Sequence, residues 1–199
     1  MADDVGEILI PSDRIAVRVR ELGRTLADTY AGREVVVLAV MKGCVLFLAD
    51  LVRAWGGAMD LEFVSARSYE GTRPGRVRVT LPEGLGEKIA GRPVLVLDDI
   101  FDTGRTLAAV CRKVERLRPA EVKALVLLKK RRAAGRGARL PDWVGFEIED
   151  RFVVGYGLDH RGRFRNLPFV AALQKDAEAL PRSPSGFALR ATPDKSGRG

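Results

Sequence analysis

Histidine occurs once in the 199-residue sequence and cysteine twice. Cys44 and Cys111 form no CxxC pair and stand in no Cys/His cluster, which argues against a structural zinc site. Both lie in apolar runs, and they read as reduced core thiols in a reducing cytosol. His160, the lone histidine, has no neighbours that would complete a catalytic triad or a metal set, and reads as a surface residue. No apolar run approaches the ~20 residues of a membrane span. The start, Met1-Ala-Asp-Asp-Val-Gly-Glu, is acidic where a signal peptide is basic. A cytoplasmic protein is expected.

What is present is ordinary for a globular chain: 46% hydrophobic and 30% charged residues. The length predicts one domain that buries about 70% of the surface its unfolded chain exposes, with no need of disulfide or metal. Collagen-like, disulfide-rich and coiled-coil classes are excluded. The net charge of +8 has three readings: a nucleic-acid binder, a site for multiply charged phosphates, or a solvated surface. The basic residues are spread along the chain, apart from Lys129-Lys130-Arg131-Arg132 with Arg136 and Arg139 nearby.

Residues 1–11 read as a loose arm. Pro11-Ser12-Asp13 opens a helix with Ser12 or Asp13 as cap. Ile15, Val19, Leu22, Leu26 and Tyr30 follow as one apolar stripe, and Gly32 ends it. The run 35–40 is continuously apolar and reads as a strand buried on both faces, as in a parallel sheet. Cys44, Leu48, Leu51, Val52 and Trp55 mark a second helix, stopped by Gly56-Gly57. Strands follow at 61–66 and 93–97, with a short hairpin strand at 77–80 inside the irregular stretch 67–92. A helix carrying Leu107, Val110, Cys111, Val114 and Leu117 precedes strands at 122–128, 143–148 and 152–156. Residues 174–199 turn polar and read as a disordered tail. The alternation predicts a mostly parallel α/β sheet flanked by helices. Ligands bind beyond the carboxyl ends of such strands, so the loops at 41–43, 67–76, 98–106 and 129–140 should rim one site.

Asp98-Asp99 ends a buried strand. Successive strand residues point to opposite faces, so the two carboxylates are expected to diverge and to accept hydrogen bonds from a ribose diol. Adjacent carboxylates repel and are costly there unless used. Asp102-Thr103-Gly104-Arg105-Thr106 then opens a helix whose N-terminal N–H groups favour an anion. Gly104 lets the backbone come close. The loop reads as a phosphate cradle beside a ribose clamp. It is no Walker A motif, because GxxxxGK[ST] is absent.

Residues 94–107, VLVLDDIFDTGRTL, resemble the 5-phosphoribosyl 1-pyrophosphate signature of type I phosphoribosyltransferases. The wider chain resembles the hypoxanthine-guanine phosphoribosyltransferases. Val40-Met41-Lys42-Gly43 is similar to their pyrophosphate loop and Ser68-Tyr69 to the Ser-Tyr pair of their mobile catalytic loop. Residues 144–148 and 152–159 resemble their purine-binding hood, and Arg165-Asn166-Leu167-Pro168 the run that follows. The resemblance covers residues 8–173.

It implies a type I phosphoribosyltransferase fold over 1–173, with a hood from the N-terminal arm and 143–173. It implies a Mg²⁺-dependent reaction of hypoxanthine or guanine with phosphoribosyl pyrophosphate, giving IMP or GMP and pyrophosphate. Asp102 would be the acid/base at purine N7. Asp98 and Asp99 would hold the ribose diol and help order Mg²⁺, although the family usually carries Glu at the first position. Asp102 through Thr106 (with Thr103, Gly104 and Arg105) would cradle the 5′-phosphate. Lys42 and Gly43, joined by a peptide that is often cis in such loops, would meet pyrophosphate together with Arg165. Asp159 would bind a second Mg²⁺. Phe152 would stack on the purine and the Val153 backbone would read its edge.

The family reads purine O6 with a lysine after the strand at 122–128. Lys129, Lys130 and Arg131 compete for that place. Lys130 is chosen because a lysine presents a compact donor to a carbonyl. A homodimer or homotetramer is the expected assembly, with neither membrane nor nucleic acid as partner. The competing readings are a nucleotide- or RNA-binding regulator on the same fold, a uracil- or xanthine-type transferase, and a generic nucleotide-binding module. A regulator would not need Asp102 together with the hood.

Overall fold

The structure is a computed structural model of the chain, describing residues 5–68, 77–131 and 138–174. A six-stranded sheet has the order β4-β3-β2-β5-β6-β7, and a three-stranded sheet the order β1-β9-β8. The main strands are β2 (Val35–Met41), β3 (Met59–Ser68), β4 (Val77–Thr80), β5 (Pro93–Phe101), β6 (Glu121–Lys130) and β7 (Trp143–Ile148). All neighbours in this sheet pair in parallel except β4, which runs antiparallel to β3.

Alternate residues of the continuous apolar strands enter two cores. Val35, Val37, Leu95, Leu97, Leu125 and Leu127 face α1 (Ser12–Thr29) and α2 (Val45–Trp55). Val36, Leu38, Val94, Val96 and Val126 face α3 (Leu85–Ile89) and α4 (Arg105–Glu115). Helices on both faces are what strands without polar alternation require. The helices α1 and α2 meet closely at Gly23, where a Cβ would come within 2.7–2.9 Å of Ala54. Arg18 of α1 donates to the Val144 and Gly145 carbonyls at 2.9 Å each, satisfying backbone of the edge strand β7. Cys44 and Cys111 are free and buried. Among the described residues, no helix is long and apolar enough to cross a membrane.

Several expectations need correction. The arm at 1–11 contains a strand, β1 (Val5–Ile10), paired antiparallel with β9 (Val170–Leu173). Its partner lies far along the chain, so no local pattern announces it. Residues 143–148 are not hood: β7 pairs in parallel with β6 and ends the main sheet. The small sheet is built from β1, β9 and β8 (Val153–Val154) instead. Neither Ser12 nor Asp13 caps α1; Pro11 holds that place with no side-chain cap hydrogen bond. The short helix α3 and the strand β9 are additions to the sequence reading. The tail beyond Gln174 lies outside the described residues.

Candidate active site

Both β3 and β5 flank β2, so the chain order reverses there. The carboxyl ends of β2 and β5 therefore open on one crevice. A cavity of about 340 Å³ lies at this point. Lys42 and Gly43 reach it from the end of β2, Asp98 through Thr106 from the β5–α4 turn, and Asp159 and Arg165 from the segment before β9. Three stretches far apart in sequence are thus brought to one place.

The β5–α4 turn is built as the sequence suggests. Gly104 is the N-cap of α4 with φ 77°, and no side-chain cap hydrogen bond closes the helix. Asp102 is therefore not the cap. The first intrahelical bond runs from the Ala108 N–H to the Gly104 carbonyl at 3.0 Å. The N–H groups before it have no acceptor within the helix and carry the positive end of its dipole.

Asp98 and Asp99 do not diverge. Asp98 is 5% exposed, and its Oδ1 accepts the Asp99 N–H at 3.0 Å. Burial pushes its carboxyl well above the usual carboxylate range, and the Asp99 charge adds to the push. Burial also raises Asp99, against the opposing effect of a hydrogen bond from Asp98 and the Arg165 charge. The two carboxyl groups are hydrogen-bonded to each other, so the two side chains turn together. The strand β5 itself continues in register past them to Phe101, paired with Lys129 of β6.

Glycine is required at two backbone contacts below this pair. A Cβ on Gly43 would run into the Asp99 carboxylate, and one on Gly157 into the Gly43 carbonyl. The loop after β2 thus lies with its backbone against the Asp99 side chain on one side and against the Gly157 backbone on the other. The cis peptide is Met41–Lys42, one bond before the expected Lys42–Gly43.

Asp159 and Arg165 form an ion pair at 2.6 Å. The other Asp159 oxygen accepts the Gly162 N–H at 2.7 Å, and Arg165 also donates to the Gly157 carbonyl at 2.5 Å. Asp99 and Asp159 offer hard oxygen donors at the cavity. Among the described residues no group of three or more acidic, His or Cys side chains could enclose a metal. That donor set suits a Mg²⁺ that arrives with substrate phosphates and keeps part of its water shell.

The strand β6 runs two residues beyond its expected end, and this separates the three competing cations. Lys129 and Arg131 lie on one side, paired with Glu147 at 2.7 Å and Glu149 at 2.8 Å. Lys130 points the other way. Its Nζ is 3.0 Å from Asp150 Oδ1 and 3.5 Å from Asp102 Oδ1. Only Lys130 is brought to the acidic turn.

Phe152 is 45% exposed, with its ring edge-on to His160 at 5.2 Å between centroids. His160 is consequently half-buried, and its Nε2 is buried; it is not the surface residue expected. Val153 is buried in β8, the outer strand of the small sheet. The Phe152 carbonyl accepts the Leu173 N–H at 2.9 Å. By alternation, the Val153 backbone groups point to the unpaired edge. Ser68 ends β3, and Tyr69 lies outside the described residues, as do 132–137 of the expected rim. Asp150, in the gap between the strands expected at 143–148 and 152–156, is a site residue that the sequence analysis does not single out.

A helix N-terminus, a buried acidic pair and a basic loop around one crevice at a sheet switch point define a protein that handles a phosphorylated sugar. The phosphoribosyl transferase domain family matches residues 7–161. The chain is 34% identical over 175 residues to the hypoxanthine-guanine phosphoribosyltransferase of Bacillus subtilis, covering 87% of this chain and 96% of that protein. The solved hypoxanthine phosphoribosyltransferase from Staphylococcus aureus superposes with a TM-score of 0.82 at 30% identity, over 90% of this chain and 97% of that one. The chain belongs to the hypoxanthine-guanine phosphoribosyltransferases. It is also 36% identical to the bifunctional protein TilS/HprT of Listeria monocytogenes, over 88% of this chain and 27% of that protein. The chain therefore spans about a quarter of the length of those curated relatives.

Proposed function

We propose that the chain joins hypoxanthine or guanine to 5-phosphoribosyl 1-pyrophosphate, releasing IMP or GMP and pyrophosphate. The observation that carries this reading is the placement of Lys130 and Asp102 side by side at the mouth of the phosphate cradle. A 6-oxopurine presents O6 and N7 as neighbours on one edge. Lys130 donates to O6. Asp102 accepts the N7 proton as N9 attacks the ribose carbon. The exposed Phe152 ring stacks on the base, and the Val153 backbone reads its far edge.

The sugar lies between the acidic pair and the helix. The first-turn N–H groups of α4, with Thr103 and Thr106, hold the 5′-phosphate. Asp99, supported by its hydrogen bond with Asp98, accepts from the ribose hydroxyls. Lys42, the Gly43 N–H and Arg165 hold the leaving pyrophosphate. Positive groups on one side and carboxylates on the other match a carbon that becomes oxocarbenium-like as pyrophosphate departs. Asp99 and Asp159 would hold Mg²⁺, which when bound offsets the charge of the leaving group.

The buried thiols fit a reducing cytoplasm. Leu61 and Phe63 are 41% and 49% exposed on one side of β3, and this apolar face suits a second copy of the chain in a homodimer or homotetramer. Sedimentation at several protein concentrations tests the assembly; a monomer throughout would reject it.

The first experiment is a steady-state assay with phosphoribosyl pyrophosphate, Mg²⁺ and each of hypoxanthine, guanine, xanthine, adenine and uracil. Nucleotide from the 6-oxopurines and not from adenine or uracil is expected. No turnover with any base, from protein that still binds phosphoribosyl pyrophosphate, would favour a regulator.

A further inference from the structure

The Lys130 side chain is 12% exposed, and a charge carried on so buried a side chain needs carboxylate partners. It has two. Asp150 Oδ1, at 3.0 Å, is within the range of a charge-assisted hydrogen bond; Asp102 Oδ1, at 3.5 Å, is outside it. The lysine is therefore anchored on Asp150 and only leans toward Asp102.

We propose that Asp150 is a positioning residue for purine recognition: it holds the Lys130 ammonium off Asp102, so that a donor and a proton acceptor stand side by side for O6 and N7. This rests on the roles given above to Lys130 and Asp102. Were Asp150 uncharged, the ammonium would lose its shorter contact and draw closer to Asp102. The spacing that matches two neighbouring atoms of one purine edge would be lost.

The chain path reinforces the assignment. Asp150 stands two residues before Phe152, and the Arg131 N–H donates to the Ile148 carbonyl at 2.8 Å. The end of β6 and the approach to the stacking ring are thus joined by backbone, and Asp150 joins them again by charge. Asp150 is 47% exposed at its side chain. A pair exposed at one partner contributes little to folding, so its loss should register in substrate binding rather than in stability.

The test compares Asp150→Asn, Lys130→Met and the double variant of the full chain, measuring KM separately for hypoxanthine and phosphoribosyl pyrophosphate. Asp150→Asn should raise the hypoxanthine KM about tenfold, the scale of one charge-assisted hydrogen bond, and leave the phosphoribosyl pyrophosphate KM unchanged. Asp150→Glu should restore most of the loss. In the Lys130→Met background, Asp150→Asn should add nothing. The proposal is overturned by an unchanged hypoxanthine KM in Asp150→Asn, or by an equal rise with and without Lys130. If Lys130→Met itself leaves the hypoxanthine KM untouched, the reading of Lys130 has failed, and the role of Asp150 goes with it.

Discussion

Lys130 Nζ lies 3.5 Å from Asp102 Oδ1, a contact that joins the end of β6 to the β5–α4 turn. Lys129 and Arg131 are turned to the opposite side and paired with Glu147 and Glu149. Substitution should separate the three sharply. Lys130→Ala is expected to raise the KM for hypoxanthine or guanine by roughly ten- to a hundredfold, as removing a charged hydrogen-bond donor does. Lys129→Ala should leave it near that of the parent protein. Equal small effects in steady-state kinetics would remove Lys130 from purine recognition.

Asp102 is 44% exposed at its side chain and caps no helix, so substrate can reach its carboxylate from solvent. Asp102→Asn keeps the shape and removes the basicity. It should lower kcat by roughly 10²–10⁴, the span for loss of a general acid/base. Binding of phosphoribosyl pyrophosphate, followed by calorimetry, should persist. An unchanged kcat would show that the N7 proton goes elsewhere.

Gly43 has no room for a methyl group, because the Asp99 carboxylate occupies that space. Gly43→Ala must displace either the pyrophosphate loop or the acidic pair. A raised KM for phosphoribosyl pyrophosphate is expected, with a loss of about 1–3 kcal/mol in stability from overpacking. Kinetics and thermal denaturation read the two effects. No change in either would mean that Asp99 yields without consequence.

The thiols should be silent in the native state. Burial pushes the Cys111 thiol up to about 11, and Cys44 higher still, with the Asp98 and Asp99 charges adding to the effect of burial. The thiolate is the reactive form, and its fraction grows as pH rises toward the thiol pKa. At pH 8 a group titrating near 11 is ionised to about one part in a thousand. A disulfide reagent at pH 8 should label neither cysteine in folded protein and both in denaturant. Rapid labelling of either in the native state would contradict the burial.

Much of the molecule was legible in one dimension because the signals are local. The apolar runs at 35–40 and 93–97 announce strands covered on both faces. The stripe from Ile15 to Tyr30 and the one from Leu107 to Leu117 announce helices. Asp102-Thr103-Gly104 announces an anion site, since a glycine at the N-cap followed by free N–H groups depends on adjacent residues alone. Three features resisted. The strand β1 finds its partner β9 across nearly the whole described chain. The turning together of Asp98 and Asp99 depends on burial and on the hydrogen bond between them. The choice among Lys129, Lys130 and Arg131 depends on where β6 ends.

The amino-acid sequence by itself determined the class of the fold, the phosphate cradle and the family, because hydrophobic period and turn chemistry act over a few residues. Only the tertiary structure decided which cation faces the acidic turn, that the two adjacent carboxyl groups turn together, and which acidic residue anchors the lysine. Those outcomes follow from distances and burial between segments that are remote in sequence. Side-chain alternation along β6 and desolvation at the end of β5 have consequences only once β5, β6 and the hood have been brought together.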